Sequence, residues 1–181
     1  YPFMRDSLLE NLDIKDIAHA LSMNCRFNGH SRYFYSVASH SLQVSRRIED
    51  AGYSDKIILG GLLHDASEAY LSDMPRPIKS MFNEVKQFET EIEDTIAIKF
   101  KLTEEEMRGL IVRAADDASL IFEMKTLFDN FPINIKNIED ADLLEIETKI
   151  PEYLDDPRNA FGVIPQDIEE VFLERFYELT K

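Results

Sequence analysis

At 181 residues and 21.0 kDa the chain has the length of one domain, enough to bury about two thirds of its unfolded surface. Its 44% hydrophobic and 30% charged residues exclude disorder as a description of the whole. Asp and Glu outnumber Lys and Arg by 35 to 20, a formal charge of −15; this argues against gripping long DNA or RNA through counterion release, and an anionic substrate would need a local basic pocket or a bound metal.

The single cysteine, Cys25, excludes an internal disulfide and a multi-cysteine zinc site and points to a reducing compartment. No apolar stretch approaches the roughly 18 to 20 residues that a bilayer crossing requires, and the N-terminus lacks a charged-then-apolar leader pattern. The expectation is a soluble cytoplasmic protein with neither a membrane nor a nucleic-acid polymer as partner.

Taken in chain order, the punctuation is that of helices. Asp13 caps a predicted helix from Ile14 to Met23, with Ile14, Ile17, Ala18 and Leu21 at helical spacing, and Asn28-Gly29 breaks it. From Ser36 to Asp50, Val37, His40, Val44 and Ile48 recur every three or four residues and Gly52 follows as a stop. His40 therefore shares an apolar stripe. A third helix is predicted from Asp55 until Pro75 and Pro77 end it. Ile78 to Phe100 carries Met81, Phe82, Val85, Phe88, Ile92 and Ile96 as one long stripe. Thr103 and Glu106 form a capping box for a helix from Glu104 to Phe128. A last helix after Pro165 carries Ile168, Val171, Phe172, Phe176 and Leu179. Between them, Asn130 to Val163 is broken by Pro132, Pro151, Pro157 and Gly162; it supports only a short helix around Ile138 to Ile146 and weak strand-like alternation at Pro132 to Ile135. The expected architecture is all-α, a single domain with a core over residues 14–128, an irregular insertion over 129–164 and a C-terminal helix over 165–181.

The chemistry concentrates in LLHDASEAYLSD, residues 62–73. Adjacent helical residues point about 100° apart, so His64 and Asp65 converge on one point only if both border the same cavity. An ionised Asp65 in so apolar a neighbourhood costs several kcal/mol unless a cation accompanies it. His40, on the inward stripe of the preceding helix, is placed to approach His64 across a helix-helix contact. Ala115-Asp116-Asp117 sets two carboxylates into an otherwise apolar helix, and periodicity alone does not choose between them. His40, His64, Asp65 and one of these aspartates make a mixed nitrogen and oxygen set. Such a set suits one divalent transition metal, Mn²⁺, Co²⁺, Fe²⁺, Ni²⁺ or Zn²⁺, better than Mg²⁺, which favours oxygen-only shells.

His40 in YSVASHSLQV, His64-Asp65 in LLHDASEAYLSDMPRPIK and Asp116 in RAADDASL together resemble the HD-domain phosphohydrolases over roughly residues 14 to 125. The likeness is to the branch that holds the bacterial 5′-deoxynucleotidases and small phage deoxynucleoside triphosphate hydrolases. The resemblance implies an HD-domain helical bundle with a metal between helices and takes Asp116 as fourth ligand. It also implies a metal-activated water for phosphoryl attack, Glu68 in proton transfer or water positioning, and Arg26 in CRFNGH as a phosphate-gripping fork. By the same resemblance Asp73 would accept the sugar 3′-hydroxyl and Phe27 would stack on a base. Lys79 is the second candidate cation for phosphate, with a surface lysine as the alternative, and His30, Arg32 and Tyr33 are near enough to border the same mouth.

Glu123, seven residues after Asp116, falls on the same helix face, within reach of the pocket, whereas His19 reads as an ordinary polar-face residue. The implied substrate is a deoxynucleotide, attacked either as a 5′-monophosphate or, with release of triphosphate, as a deoxynucleoside triphosphate. Homo-oligomerisation is implied by resemblance, as is a host cytoplasm if the chain is phage-encoded. A non-catalytic nucleotide-binding HD module would show a broken ligand set, and a guanosine tetraphosphate hydrolase a Glu-Asp pair soon after His-Asp, where this chain has Glu68-Ala69-Tyr70.

Overall fold

The N-terminal helix forms where the capping residue and the apolar spacing agree. Asp13 accepts the Lys15 amide, and α1 (Ile14–Met23) buries Ile14, Ile17, Ala18 and Leu21. In this computed structural model residues 10–79, 81–129 and 164–181 are described. The expected insertion, with its short helix and strand-like stretch, lies outside them except at its edges.

After a tight turn at Arg26–Gly29, Ser36 caps α2 (Val37–Asp50) by accepting the Ser39 amide, and the helix ends before Gly52, at φ 80°. Then come α3 (Asp55–Leu63), the short α4 (Glu68–Leu71) and α5 (Arg76–Lys79), α6 (Asn83–Phe100), α7 (Glu104–Arg108), α8 (Leu110–Leu127) and α9 (Pro165–Leu179). The fold is all-α: among the described residues the only β pairing is an isolated antiparallel bridge between Cys25 and Ser36, and no helix is long and apolar enough to cross a membrane.

The main core joins α1, α2, α3, α6 and α9 through Leu21, Leu42, Leu62, Leu63, Ile96 and Phe172. Each side chain so removed from water contributes about 1.5–3 kcal/mol before entropy is charged. Where α3 crosses its neighbours, Gly60 and Gly61 allow close approach. A Cβ on Gly60 would stand 1.8 Å from the Glu106 carbonyl oxygen, and one on Gly61 would stand 2.4 Å from the Ile48 side chain. α3 is thus pressed between α7 and α2, which fixes the height at which its C-terminal end meets His40.

Three predicted helices are shorter than their apolar patterns suggest. The helix starting at Asp55 stops at Leu63, and His64 to Ser67 tighten into turns with three-residue bonds, Ala66 to Leu63 and Glu68 to Asp65. The Gly61 carbonyl, which a continued α-helix would offer to the Asp65 amide, accepts Nδ1 of His64 at 2.8 Å. The stripe from Ile78 is likewise divided: Met81 and Phe82 are 76% and 49% exposed, and only from Phe88 onward does α6 face the core. The predicted helix from Glu104 divides at Gly109, whose extended backbone (φ −68°, ψ 176°) caps α7 and starts α8. The capping box of Thr103 and Glu106 forms as the sequence indicates.

Candidate metal centre

α2 presents His40, fully buried on its inward stripe, and the turn after α3 presents His64 and Asp65. Nε2 of His40 and Nε2 of His64 lie 3.2 Å apart, and Asp65 Oδ2 is 3.2 Å from the His64 nitrogen and 3.5 Å from that of His40. These three donors all lie within 4.8 Å of one another, a candidate metal-binding triad. Asp116, from α8, stands at its border, with Oδ1 3.0 Å from His40 Nε2 and 4.0 Å from His64 Nε2. The structure therefore chooses Asp116 over Asp117 as the aspartate beside the triad.

The hydrogen bonds behind the triad test whether it fits a cation. His64 Nδ1 faces a carbonyl, which only accepts, so that nitrogen carries the proton. His40 Nδ1 lies 2.6 Å from Glu123 Oε1 and donates to it. In the neutral rings both Nε2 lone pairs then point at each other and at two carboxylate oxygens. Four acceptors converging on one point require positive charge between them.

The same acceptors favour a proton on His40. Burial and Arg26 oppose a charged His40, but Glu123 and Asp116 outweigh them and raise it to about 9. Burial also opposes the Asp65 carboxylate, yet His64, His40 and Arg26 hold it well below the usual range. Asp116 is lowered to about 2, with His40 and His64 overcoming its burial.

Arg26 is the buried cation that the sequence did not assign to these acids. Its Nε donates to Glu123 Oε2 at 3.0 Å, while Nη1 lies 3.5 Å from Asp65 and Nη2 lies 3.9 Å from Asp116. Glu123, fully buried, also accepts the Tyr35 hydroxyl at 2.9 Å. The sequence put Glu123 on the face of Asp116 but gave it no role; the α-helical repeat was the one available signal.

One cavity of about 420 Å³ brings together Arg26, Phe27, Asp65, Glu68, Asp73, Lys79 and Asp116, with Met74, Pro75, Leu120 and Met124 as apolar wall. Glu68 is 6% exposed and its Oε2 has no hydrogen-bond partner among the described residues. Burial, reinforced by Asp65 and Asp73, pushes its carboxyl up to about 10. Asp73 Oδ2 accepts the Phe27 amide at 3.2 Å. The Phe27 ring meets Phe128 edge-on at 5.2 Å, with the Arg26 guanidinium over its face. Lys79 reaches the cavity but is paired with Glu89. A second, more polar cavity of about 500 Å³ touches His64, Asp65 and Asp116 from the side of Arg108 and Arg113.

His30, Arg32 and Tyr33 are not among the residues that line the 420 Å³ cavity; Arg32 is held by Asp129 and the Thr126 carbonyl. His19 is exposed and pairs with Glu169, away from the centre.

Fold and centre define an all-α protein with a candidate metal triad at the meeting of α2 and α3, opening into a half-apolar cavity. No protein-family model matches the chain. It is 30% identical over 172 residues to the uncharacterized protein YfdR of Escherichia coli, an alignment that covers 95% of this chain and 86% of YfdR. The chain belongs to the YfdR family. An uncharacterized protein of Rhodobacter capsulatus is 43% identical over 74 residues, 39% of this chain and 38% of that protein.

Proposed function

We propose that the chain is a metal-dependent phosphohydrolase acting on deoxyribonucleotides, by 5′-dephosphorylation of monophosphates or by release of triphosphate from deoxynucleoside triphosphates. The observation that carries this reading is the convergence of four acceptor atoms, from His40, His64, Asp65 and Asp116, two of whose residues, Asp65 and Asp116, also line the cavity that holds Arg26 and Glu68. The likeness of HDASEAYLSDMPRPIK to the HD-domain phosphohydrolases points the same way.

A divalent transition ion held by the triad and Asp116 supplies Lewis acidity, which acidifies water and polarises a phosphoryl oxygen. The protein groups do the rest. Arg26 offers Nη1 and Nη2 to phosphate oxygens while its Nε stays on Glu123. Glu68, whose carboxyl is pushed up to about 10 by burial and by Asp65 and Asp73, would release its proton to solvent with a divalent ion held beside it. It then serves as the proton acceptor for the attacking water. Asp73 turns its carboxylate toward the sugar hydroxyl, Phe27 and the Met74–Pro75 wall take the base, and Lys79 leaves Glu89 for the anion.

The test is a screen of nucleoside mono- and triphosphates, deoxy and ribo, with Mn²⁺, Co²⁺, Zn²⁺ and Mg²⁺, separating orthophosphate from tripolyphosphate among the products. Metal-dependent release from deoxynucleotides supports the proposal; no turnover of any of them with any ion refutes it.

A further inference from the structure

We propose that Glu123 is a positioning residue that sets two parts of the centre at once, the tautomer of His40 and the direction of Arg26. This inference rests on the metal reading above and concerns a side chain that touches neither substrate nor ion.

Glu123 is fully buried and divides its two oxygens. Oε1 accepts from His40 Nδ1 at 2.6 Å and from the Tyr35 hydroxyl at 2.9 Å, and Oε2 accepts from Arg26 Nε at 3.0 Å. An ionised carboxylate only accepts, so all three partners must donate. For the imidazole this places the proton on Nδ1 and leaves Nε2, the atom facing His64 and Asp65, free to ligate. For the guanidinium it commits Nε and leaves Nη1 and Nη2 toward the cavity. There they stand 3.5 Å from Asp65 and 3.9 Å from Asp116, too long for strong hydrogen bonds.

Glu123 thereby keeps Arg26 from closing onto the two carboxylates that the cation needs. With that anchor gone, a planar fork beside two acids would take up a bidentate pair with one of them and compete with the metal. A glutamine cannot substitute, because it would have to accept from two separate N–H donors while pointing its own amide N–H groups at one of them.

The experiment compares binding of Mn²⁺ or Zn²⁺ alone, by chelator competition, in the native protein, Glu123→Gln and Ile168→Ala. Ile168 is buried in the main core on α9, beside the Glu169 that pairs with His19 away from the centre, and serves as a control for loss of stability without change at the centre. The expected result is a 10- to 100-fold loss of affinity in Glu123→Gln, and affinity within threefold of native in Ile168→Ala despite a lower Tm. At saturating metal, Glu123→Gln also raises the KM for the phosphate substrate by tenfold or more.

Metal affinity and KM both within threefold of native in Glu123→Gln would overturn the inference. Should that variant not fold, imidazole ¹⁵N spectra of the native metal-loaded protein decide. Protonation of His40 at Nδ1 supports the inference, and protonation at Nε2 overturns it. A native protein that binds no ion sinks the metal reading itself, whereas a variant equal to native in both metal binding and KM sinks only the role of Glu123.

Discussion

Metal binding to this centre should be strongly pH-dependent, and the slope follows from His40. Its imidazole is fully buried and holds its proton up to about pH 9, because Glu123 and Asp116 outweigh burial and the neighbouring Arg26. A cation can take Nε2 only after that proton leaves. Below pH 9 each unit of acidity therefore adds about 1.4 kcal/mol to the work of binding. Between pH 8.5 and 6.5 the expected loss is about 2.7 kcal/mol, or roughly 100-fold in affinity.

Glu68, also raised by its burial, can release a second proton as the ion binds and steepen the native slope. Glu68→Gln removes that contribution and should leave a slope of about one decade per pH unit. The assay is competition with a chelator of known pH dependence at constant ionic strength. Affinity for Mn²⁺ that is flat over those two units in Glu68→Gln would refute the account. The same protons act on the fold: the metal-free protein gains stability from His40 below the ordinary histidine value of about 6.5 and loses it as pH rises through about 9. The increase in Tm on adding metal should therefore be larger at pH 8 than at pH 6.5.

His64→Ala or Asp65→Ala should abolish both bound metal and turnover while the far-ultraviolet helical signal is retained, and activity surviving in His64→Ala would remove the proposal. Glu68→Ala should keep the metal and lose about 10²- to 10⁴-fold in kcat, as read by steady-state kinetics beside metal analysis. Asp73→Ala should raise KM for deoxynucleotides about tenfold or more, the loss of one hydrogen bond to a charged group; an unchanged KM would show that the sugar is held elsewhere. Gly60→Ala improves helix propensity by about 1 kcal/mol but sets a Cβ 1.8 Å from the Glu106 carbonyl. We expect a net loss of about 1–3 kcal/mol, and a Tm at or above native would contradict the packing of α3 on α7.

The α1, α2 and α9 helices were legible in the sequence because cap, periodicity and stop agree there, as with Asp13, Ser36 and Pro165. The same reading ran the helices from Asp55, Ile78 and Glu104 too far, since apolar spacing continues across His64, Met81 and Gly109 while the backbone does not. At His64 the reason is chemical: a ring nitrogen takes a backbone carbonyl of the preceding turn, and no count of apolar residues contains that competition. His40, His64 and Asp65 were recognisable as polar groups on apolar faces. The pairing of Arg26 with Glu123 was not, because 97 residues separate them and each has many partners of opposite charge in so acidic a chain.

On the phosphohydrolase proposal, that acidity sets an order of events at the centre. Around the cavity, Asp65, Glu68, Asp73 and Asp116 face Arg26 and Lys79 as the cations among the described residues, and both cations already have carboxylate partners, Glu123 and Glu89. A phosphate approaching the metal-free site meets like charge at short range, where a low effective dielectric makes repulsion severe. A divalent ion on the triad brings two positive charges and displaces one, the proton on His40, so while Glu68 keeps its proton the centre gains one net positive charge where the phosphoryl group would sit. On this reading metal precedes phosphate, and the whole protein's charge of −15 becomes compatible with an anionic substrate because the positive centre is local, buried and borrowed from the solution.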